Sequence, residues 1–166
     1  MEPVRFTESI ELLLAGCLAK YEGGNDWAKW EEMDAKNDKD PRYAHNYLIN
    51  GGRAHSVWFF PEDGSYIFTG LEVTREVSDT AWEYLKFPPI TYAVFELDYK
   101  TDVEAQQNAV WKWIDERKDI TYKRIKWDAG GQLDLTDFEI YIYDHDGKFG
   151  ENRIVEYWIP LTKIND

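Results

Sequence analysis

The chain alternates between short apolar runs and charged, turn-rich breaks. Glu11 to Tyr21 is apolar without helical periodicity and predicts a strand. Gly23-Gly24 interrupts it, and Asn25 can cap a helix that carries Trp27, Trp30 and Met33 or Asp34 on successive turns. Ala35 to Asn50 is charged and broken by Pro41, so it reads as a loop from which Tyr43, Tyr47 and Leu48 could fold back. His55–Phe60 and Tyr66–Val73 read as two strands of a hairpin around Pro61-Glu62-Asp63-Gly64. Thr74 to Pro89 reads as a connector with a short helical piece around Trp82 and Leu85, closed by Pro88-Pro89.

The pattern then restarts. Thr91–Tyr99 predicts a strand. Thr101 and Glu104 have capping-box spacing ahead of a helix with Val103, Val110, Trp113 and Ile114 on one face. Phe138–Tyr143 and Arg153–Leu161 predict two further strands around an Asp146-Gly147 turn, with Pro160 ending the last strand's useful pairing. The order strand–helix–strand–strand thus occurs twice, in about residues 10–74 and 90–162, within one domain spanning 1–166. Ala15–Tyr21 parallels Ala93–Tyr99, and Trp58-Phe59-Phe60 before Asp63-Gly64 parallels Tyr141-Ile142-Tyr143 before Asp146-Gly147. The expected architecture is α+β, an internal duplication with antiparallel sheets.

Side chains alternate across a strand, so each hairpin has two faces. Val57 and Phe59 oppose Trp58 and Phe60; Phe138, Ile140 and Ile142 oppose Glu139, Tyr141 and Tyr143. The aliphatic faces are expected under the helices. The aromatic faces are expected to line a cleft, because a solvated face would carry Lys, Thr and Glu rather than rings. Composition adds to this: 8 Trp, 11 Tyr and 8 Phe are more rings than one core of 166 residues ordinarily needs.

Charge narrows the partners. Lys and Arg total 19 against 32 Asp and Glu, a net charge of −13 that repels phosphates and argues against direct nucleic-acid binding. A single cysteine, Cys17, excludes an internal disulfide and suits the cytoplasm; in its apolar run it reads as a small buried residue. Leu12–Leu18 is too short to span a bilayer, and Met1-Glu2-Pro3 lacks the basic region of a signal peptide. No membrane association is expected.

Glu156 stands out. It shares a face of the last strand with Ile154 and Trp158, opposite Val155, Tyr157 and Ile159, and a carboxylate among apolar neighbours is costly unless paired or solvated. It reads either as the counter-charge of a cationic ligand, helped by cation–π contact, or as an ordinary residue on a half-exposed strand.

Four stretches in order, Tyr92-Ala93-Val94-Phe95, Val110-Trp111-Lys112-Trp113-Ile114, Asp137-Phe138-Glu139-Ile140-Tyr141 and Glu156-Tyr157-Trp158-Ile159-Pro160, with Gly70-Leu71-Glu72-Val73 closing the first half, resemble the GyrI-like small-molecule-binding domain, the effector-binding domain of AraC- and MerR-type regulators. The resemblance implies two strand–helix–strand–strand modules about a pseudo-twofold axis, with a ligand groove between them. It implies that Glu156 meets a hydrophobic, cationic or planar aromatic drug or effector, with Trp158 beside it. Strand parity adds Trp58, Phe60, Tyr92 and Tyr141 as candidate lining residues; Trp82 and Tyr43, outside the predicted strands, could close the groove. The chain resembles the stand-alone forms that carry no DNA-binding helix-turn-helix. Its segment Lys36–Asn50 is longer and more charged than the resemblance leads one to expect.

Other chemistry finds little support. His45, His55 and His145 lack metal-ligand spacing, Asp144-His145-Asp146-Gly147 lacks the later ligands of a calcium loop, and no phosphate-cradling loop or nucleophile elbow is present, so neither metal nor cofactor is expected. Some relatives in the resembled family hydrolyse cyclopropane-bearing alkylators. In that reading Glu156 would be a general base and Tyr141 a hydrogen-bond donor. In a third reading, the acidic surface docks on a protein partner such as gyrase or a separate regulator.

Overall fold

The computed structural model describes residues 1–37, 47–49, 53–61, 63–77, 82–122, 138–143 and 154–163, with the backbone alone at 26, 33, 34, 36, 37 and 163. Tyr43, His45, Gly51-Gly52, Gly130-Gly131, Asp137 and Asp144–Gly147 lie outside them.

The elements in order are β1 (Arg5–Phe6), β2 (Ile10–Lys20), α1 (Asn25–Asn37), β3 (Ala54–Phe59), β4 (Tyr66–Glu72), β5 (Glu83–Asp98), α2 (Val103–Asp115), β6 (Ile120–Tyr122), β7 (Phe138–Ile142) and β8 (Ile154–Lys163). The fold is α+β: among the described residues, two helices lie on an eight-stranded antiparallel sheet of order β1-β5-β2-β4-β3-β7-β8-β6. An additional β5–β8 pairing turns six of these strands into a closed ring, β2–β4–β3–β7–β8–β5 and back to β2.

Strand β5 makes the closure possible and departs from the sequence reading. Thr74–Pro89 was expected as a connector with a short helical piece around Trp82 and Leu85, yet Glu83–Asp98 is one strand of 16 residues. Its first half pairs with β2 up to Ile90↔Ile10, and its second half pairs with β8 from Thr91↔Leu161. The two prolines sit where the register slips, between Phe87↔Leu12 and Ile90↔Ile10, so that Pro88 and Pro89 face the single residue Glu11. A bulge at a change of partner asks for no ladder N–H there, which is how the strand tolerates them.

Other boundaries shift for local reasons. The cap of α2 is Asp102, which accepts from the Ala105 backbone N–H, while Thr101 donates to the Asp98 carbonyl. Pairing in β8 continues past Pro160 to Lys163, because the late strand β6 supplies a new neighbour. Neither β6 nor the two-residue β1 is visible as a hydrophobic pattern.

Three apolar clusters result. Inside the ring lie Leu14, Val57, Phe59, Phe68, Phe87, Tyr92, Val94, Phe138, Ile140 and Trp158, with further aliphatic residues. Under α2 lie Ala93, Phe95, Val110, Trp113, Ile114, Tyr141, Val155, Tyr157 and Ile159. Under α1 lie Ala15, Cys17, Val73 and Trp82, against which Trp30 packs. Strands β2 and β4 approach closely at Gly16↔Gly70: a methyl at Gly16 would stand 1.9 Å from the Thr69 carbonyl oxygen. No helix among the described residues is long and apolar enough to cross a membrane.

Candidate functional site

The alternation of the two hairpins is as the sequence predicts, but the faces are exchanged. Val57, Phe59, Phe138, Ile140 and Ile142 turn into the ring rather than under a helix. Tyr141 is buried in the α2 cluster, and Trp58 and Tyr143 pack against it. The polar tips explain the exchange, because a buried phenol needs a partner and the helix interface provides one. The Tyr141 hydroxyl accepts from the Gln107 amide at 2.9 Å and donates to the Glu139 carboxylate at 3.1 Å, and its ring stacks on Tyr157 at 4.7 Å.

The six candidate lining residues therefore divide. Glu156, Trp158 and Tyr92 come together on the inner side, with the Tyr92 and Trp158 rings 5.3 Å apart. Trp58 lies on the helix side, edge-on to Tyr21, and Phe60 is exposed at the end of β3. Trp82 is buried beneath α1 against Trp30 and closes no groove.

The ring interior is largely filled. Phe59, Phe87, Tyr92 and Phe138 are almost wholly buried, and the Tyr92 hydroxyl has no hydrogen-bond partner among the described residues. What opens is one end of the ring. A cleft of about 320 Å³ lies between Arg5, Arg53, His55, Glu72, Ile142 and Trp158. The register brings it together: Glu156 faces Ile142 on one side and Glu96 on the other, and Ile142 faces His55.

Glu156 is the electrostatic centre of this mouth. It accepts from Arg5 Nη2 at 3.0 Å and from Trp158 Nε1 at 2.9 Å, and Arg53 Nη1 stands 3.5 Å away. Partial burial pushes its pKa up, but the hydrogen bonds of Arg5 and Trp158 and the two guanidinium charges outweigh that and hold it below the usual carboxylate value. The Arg5 guanidinium also lies over the Trp158 ring, 5.8 Å from its centroid. Arg5 is placed by the ladder of β1 on β5, where Arg5 pairs with Val94 and the Tyr92 backbone N–H donates to Thr7 Oγ1.

His55 is buried beside this cluster, its Nδ1 2.9 Å from the Arg53 carbonyl oxygen. Burial, aided by the Arg53 charge, lowers its pKa to about 4 against the opposing pull of the Arg53 backbone and Glu156, so the ring is neutral at pH 7. Sequence reasoning passed over Arg5, Arg53 and His55. The signal for His55 was its parity with Val57 and Phe59; for Arg5 the sequence holds none, because its partner is 151 positions away. Among the described residues no cluster of His, Cys, Asp and Glu could hold a metal ion.

No protein-family model matches the chain, and no curated protein sequence does. Solved structures do match over nearly its whole length. SAV2435 bound to tetraphenylphosphonium superposes with a TM-score of 0.59 at 18% identity, over 98% of this chain and 94% of that one. The EcmrR C-terminal domain gives 0.60 at 10% identity over 96% and 97%. A hydrolase encoded by lin2189 from Listeria innocua gives 0.53 at 9% over 97% and 92%. At such identities the likeness shows the fold alone, and the fold shared with SAV2435 and the EcmrR C-terminal domain is consistent with the GyrI-like resemblance of the sequence.

Proposed function

We propose that this chain binds a small hydrophobic or planar aromatic cation at the mouth formed by Glu156 and Trp158, as a sensor or sequestering protein. The observation that carries the reading is Arg5. A cationic group already rests between the carboxylate and the indole, 3.0 Å from Glu156 Oε2 and over the Trp158 ring. An ionised carboxylate beside an aromatic face is the complement of an organic cation. Tyr92, tilted against Trp158, extends the aromatic floor. The tetraphenylphosphonium in SAV2435, a protein of the same fold, is a ligand of this class.

Binding is favoured over turnover at this residue. A general base is most effective when its pKa lies near the working pH, whereas Glu156 is held below the ordinary carboxylate value. Titrating tetraphenylphosphonium into the wild type and Glu156→Gln by calorimetry tests the reading. Loss of the charge is expected to weaken binding by about tenfold or more, roughly 1.4 kcal/mol. Equal affinity in the two proteins would remove Glu156 from the site, and conversion of the ligand would replace binding with catalysis.

A further inference from the structure

Strand β1 reaches both sides of the sheet. Adjacent residues of a strand point to opposite faces, and the two residues of β1 meet different apolar clusters. Arg5 turns to the inner side, where it donates to Glu156 at 3.0 Å and lies over the Trp158 ring. Phe6 turns to the helix side, its ring 6.2 Å from that of Trp113. Trp113 is buried near the end of α2, and its indole Nε1 donates to the Glu2 carboxylate at 2.9 Å. The Arg117 guanidinium covers the same indole, 4.9 Å from its centroid. One short segment thus touches the Glu156–Trp158 mouth with one side chain and α2 with two others.

The segment is held lightly. The Val4 and Thr7 backbone N–H groups donate to the Val94 and Tyr92 carbonyls at 2.8 and 2.9 Å, and Thr7 Oγ1 accepts from the Tyr92 N–H. Both residues of β1 are exposed. Met1, Val4 and Phe6 each leave about half of a large apolar side chain in solvent. A strand with exposed ladder bonds and little buried apolar surface belongs to the least stable units of a fold, which open without global unfolding.

We propose that residues 1–7 form a ligand-displaced strap that carries the state of the mouth to α2. The proposal rests on the reading of Glu156 and Trp158 as a cation site and adds the regulation of that site. Arg5 and an organic cation need the same place between carboxylate and indole, so each excludes the other. Arg53 stays, because its Nε donates to the Tyr143 carbonyl at 3.3 Å. Entry of the ligand costs Arg5 both of its partners on the inner side. The exposed ladder then lacks the side chain that ties it to the ring, and the segment leaves β5. Phe6 and Glu2 leave with it, so the Trp113 indole loses its acceptor and a ring that packs on it. Linkage is reciprocal: loosening the Glu2–Trp113 contact must tighten the ligand at the mouth.

Water-exchange NMR on the full chain tests the strap, with the amides of β7 as internal reference. Saturating tetraphenylphosphonium is expected to speed exchange at the Val4 and Thr7 amides and the Trp113 indole by about fivefold or more. Arg5→Ala is expected to do the same without ligand. Glu2 lies outside the mouth, and Glu2→Ala is expected to bind the phosphonium about threefold tighter than Glu2→Gln, which carries the same charge and still accepts from the indole. Slowed or unchanged exchange in the complex, or in Arg5→Ala, would overturn the strap and leave the Glu156 site standing. Equal affinity of the two Glu2 variants would overturn the coupling to α2. A phosphonium that does not bind, or that binds Glu156→Gln equally well, would discard the cation site and the displacement together.

Discussion

At the scale of single residues, His55 ties the mouth to stability. Its folded pKa of about 4 lies below the ordinary 6.5, so the unfolded chain binds a proton that the folded chain refuses. The stability conferred by a neutral His55 is therefore complete above pH 6.5 and is lost as pH falls towards 4. The span corresponds to about 3 kcal/mol at most. His55→Asn keeps a donor or acceptor near the Arg53 carbonyl and removes the titration. Urea unfolding at pH 7 and pH 4.5 is expected to show the wild type losing about 2–3 kcal/mol more than the variant. Parallel losses in the two proteins would place the acid sensitivity elsewhere, in carboxylates such as Glu156 whose folded pKa is also depressed.

At the scale of elements, strand β1 acts on the mouth as a competitor. Two residues of ladder on β5 hold Arg5 where the proposed ligand's charge would go. The pair is half-exposed on the arginine side, so its own contribution to stability is small, about 0–1 kcal/mol. Arg5→Ala is thus expected to leave the melting temperature nearly unchanged and to tighten tetraphenylphosphonium about threefold or more, because Glu156 loses a hydrogen-bonded cation. Weaker binding in Arg5→Ala would mean that Arg5 shapes the site rather than occupying it. The elements also show what the sequence could and could not reveal. Strands β2, β3, β4, β7 and β8 and both helices were legible from apolar period and caps. Of strand β5 only the second half was, as Thr91–Tyr99; the first half was not, because Pro88-Pro89 normally ends a strand and here marks a change of partner. The faces of β3 and β7 were assigned the wrong way round because both are covered: a ring interior on one side and helix-packed clusters on the other. Alternation reports that two faces differ, and it cannot tell which of two buried environments each one meets. Glu156 and Trp158 escaped this error since their strand carries its carboxylate on the inner face. The salt-bridged arginines around them depend on pairings far apart in the chain.

For the whole molecule, the net charge of −13 bears on rate more than on the identity of the ligand. A field of that sign concentrates cations over the entire surface, and Glu72, Glu96 and Glu156 continue it into the mouth. Long-range attraction is screened within about 8 Å at physiological ionic strength, whereas the short contact between a bound cation and a partly buried carboxylate is screened far less. Association and dissociation should therefore answer differently to salt. Stopped-flow quenching of tryptophan fluorescence with tetraphenylphosphonium is expected to show the association rate falling several-fold between about 10 and 150 mM salt. The dissociation rate should hold nearly constant over that range. Glu156→Gln should act on the other rate: it changes one charge of the field, so association keeps most of its salt dependence, while dissociation accelerates by about the same tenfold that affinity loses. If salt instead acts chiefly on dissociation, then the ligand is held by exposed pairs at the rim, and the steering role of the acidic surface falls.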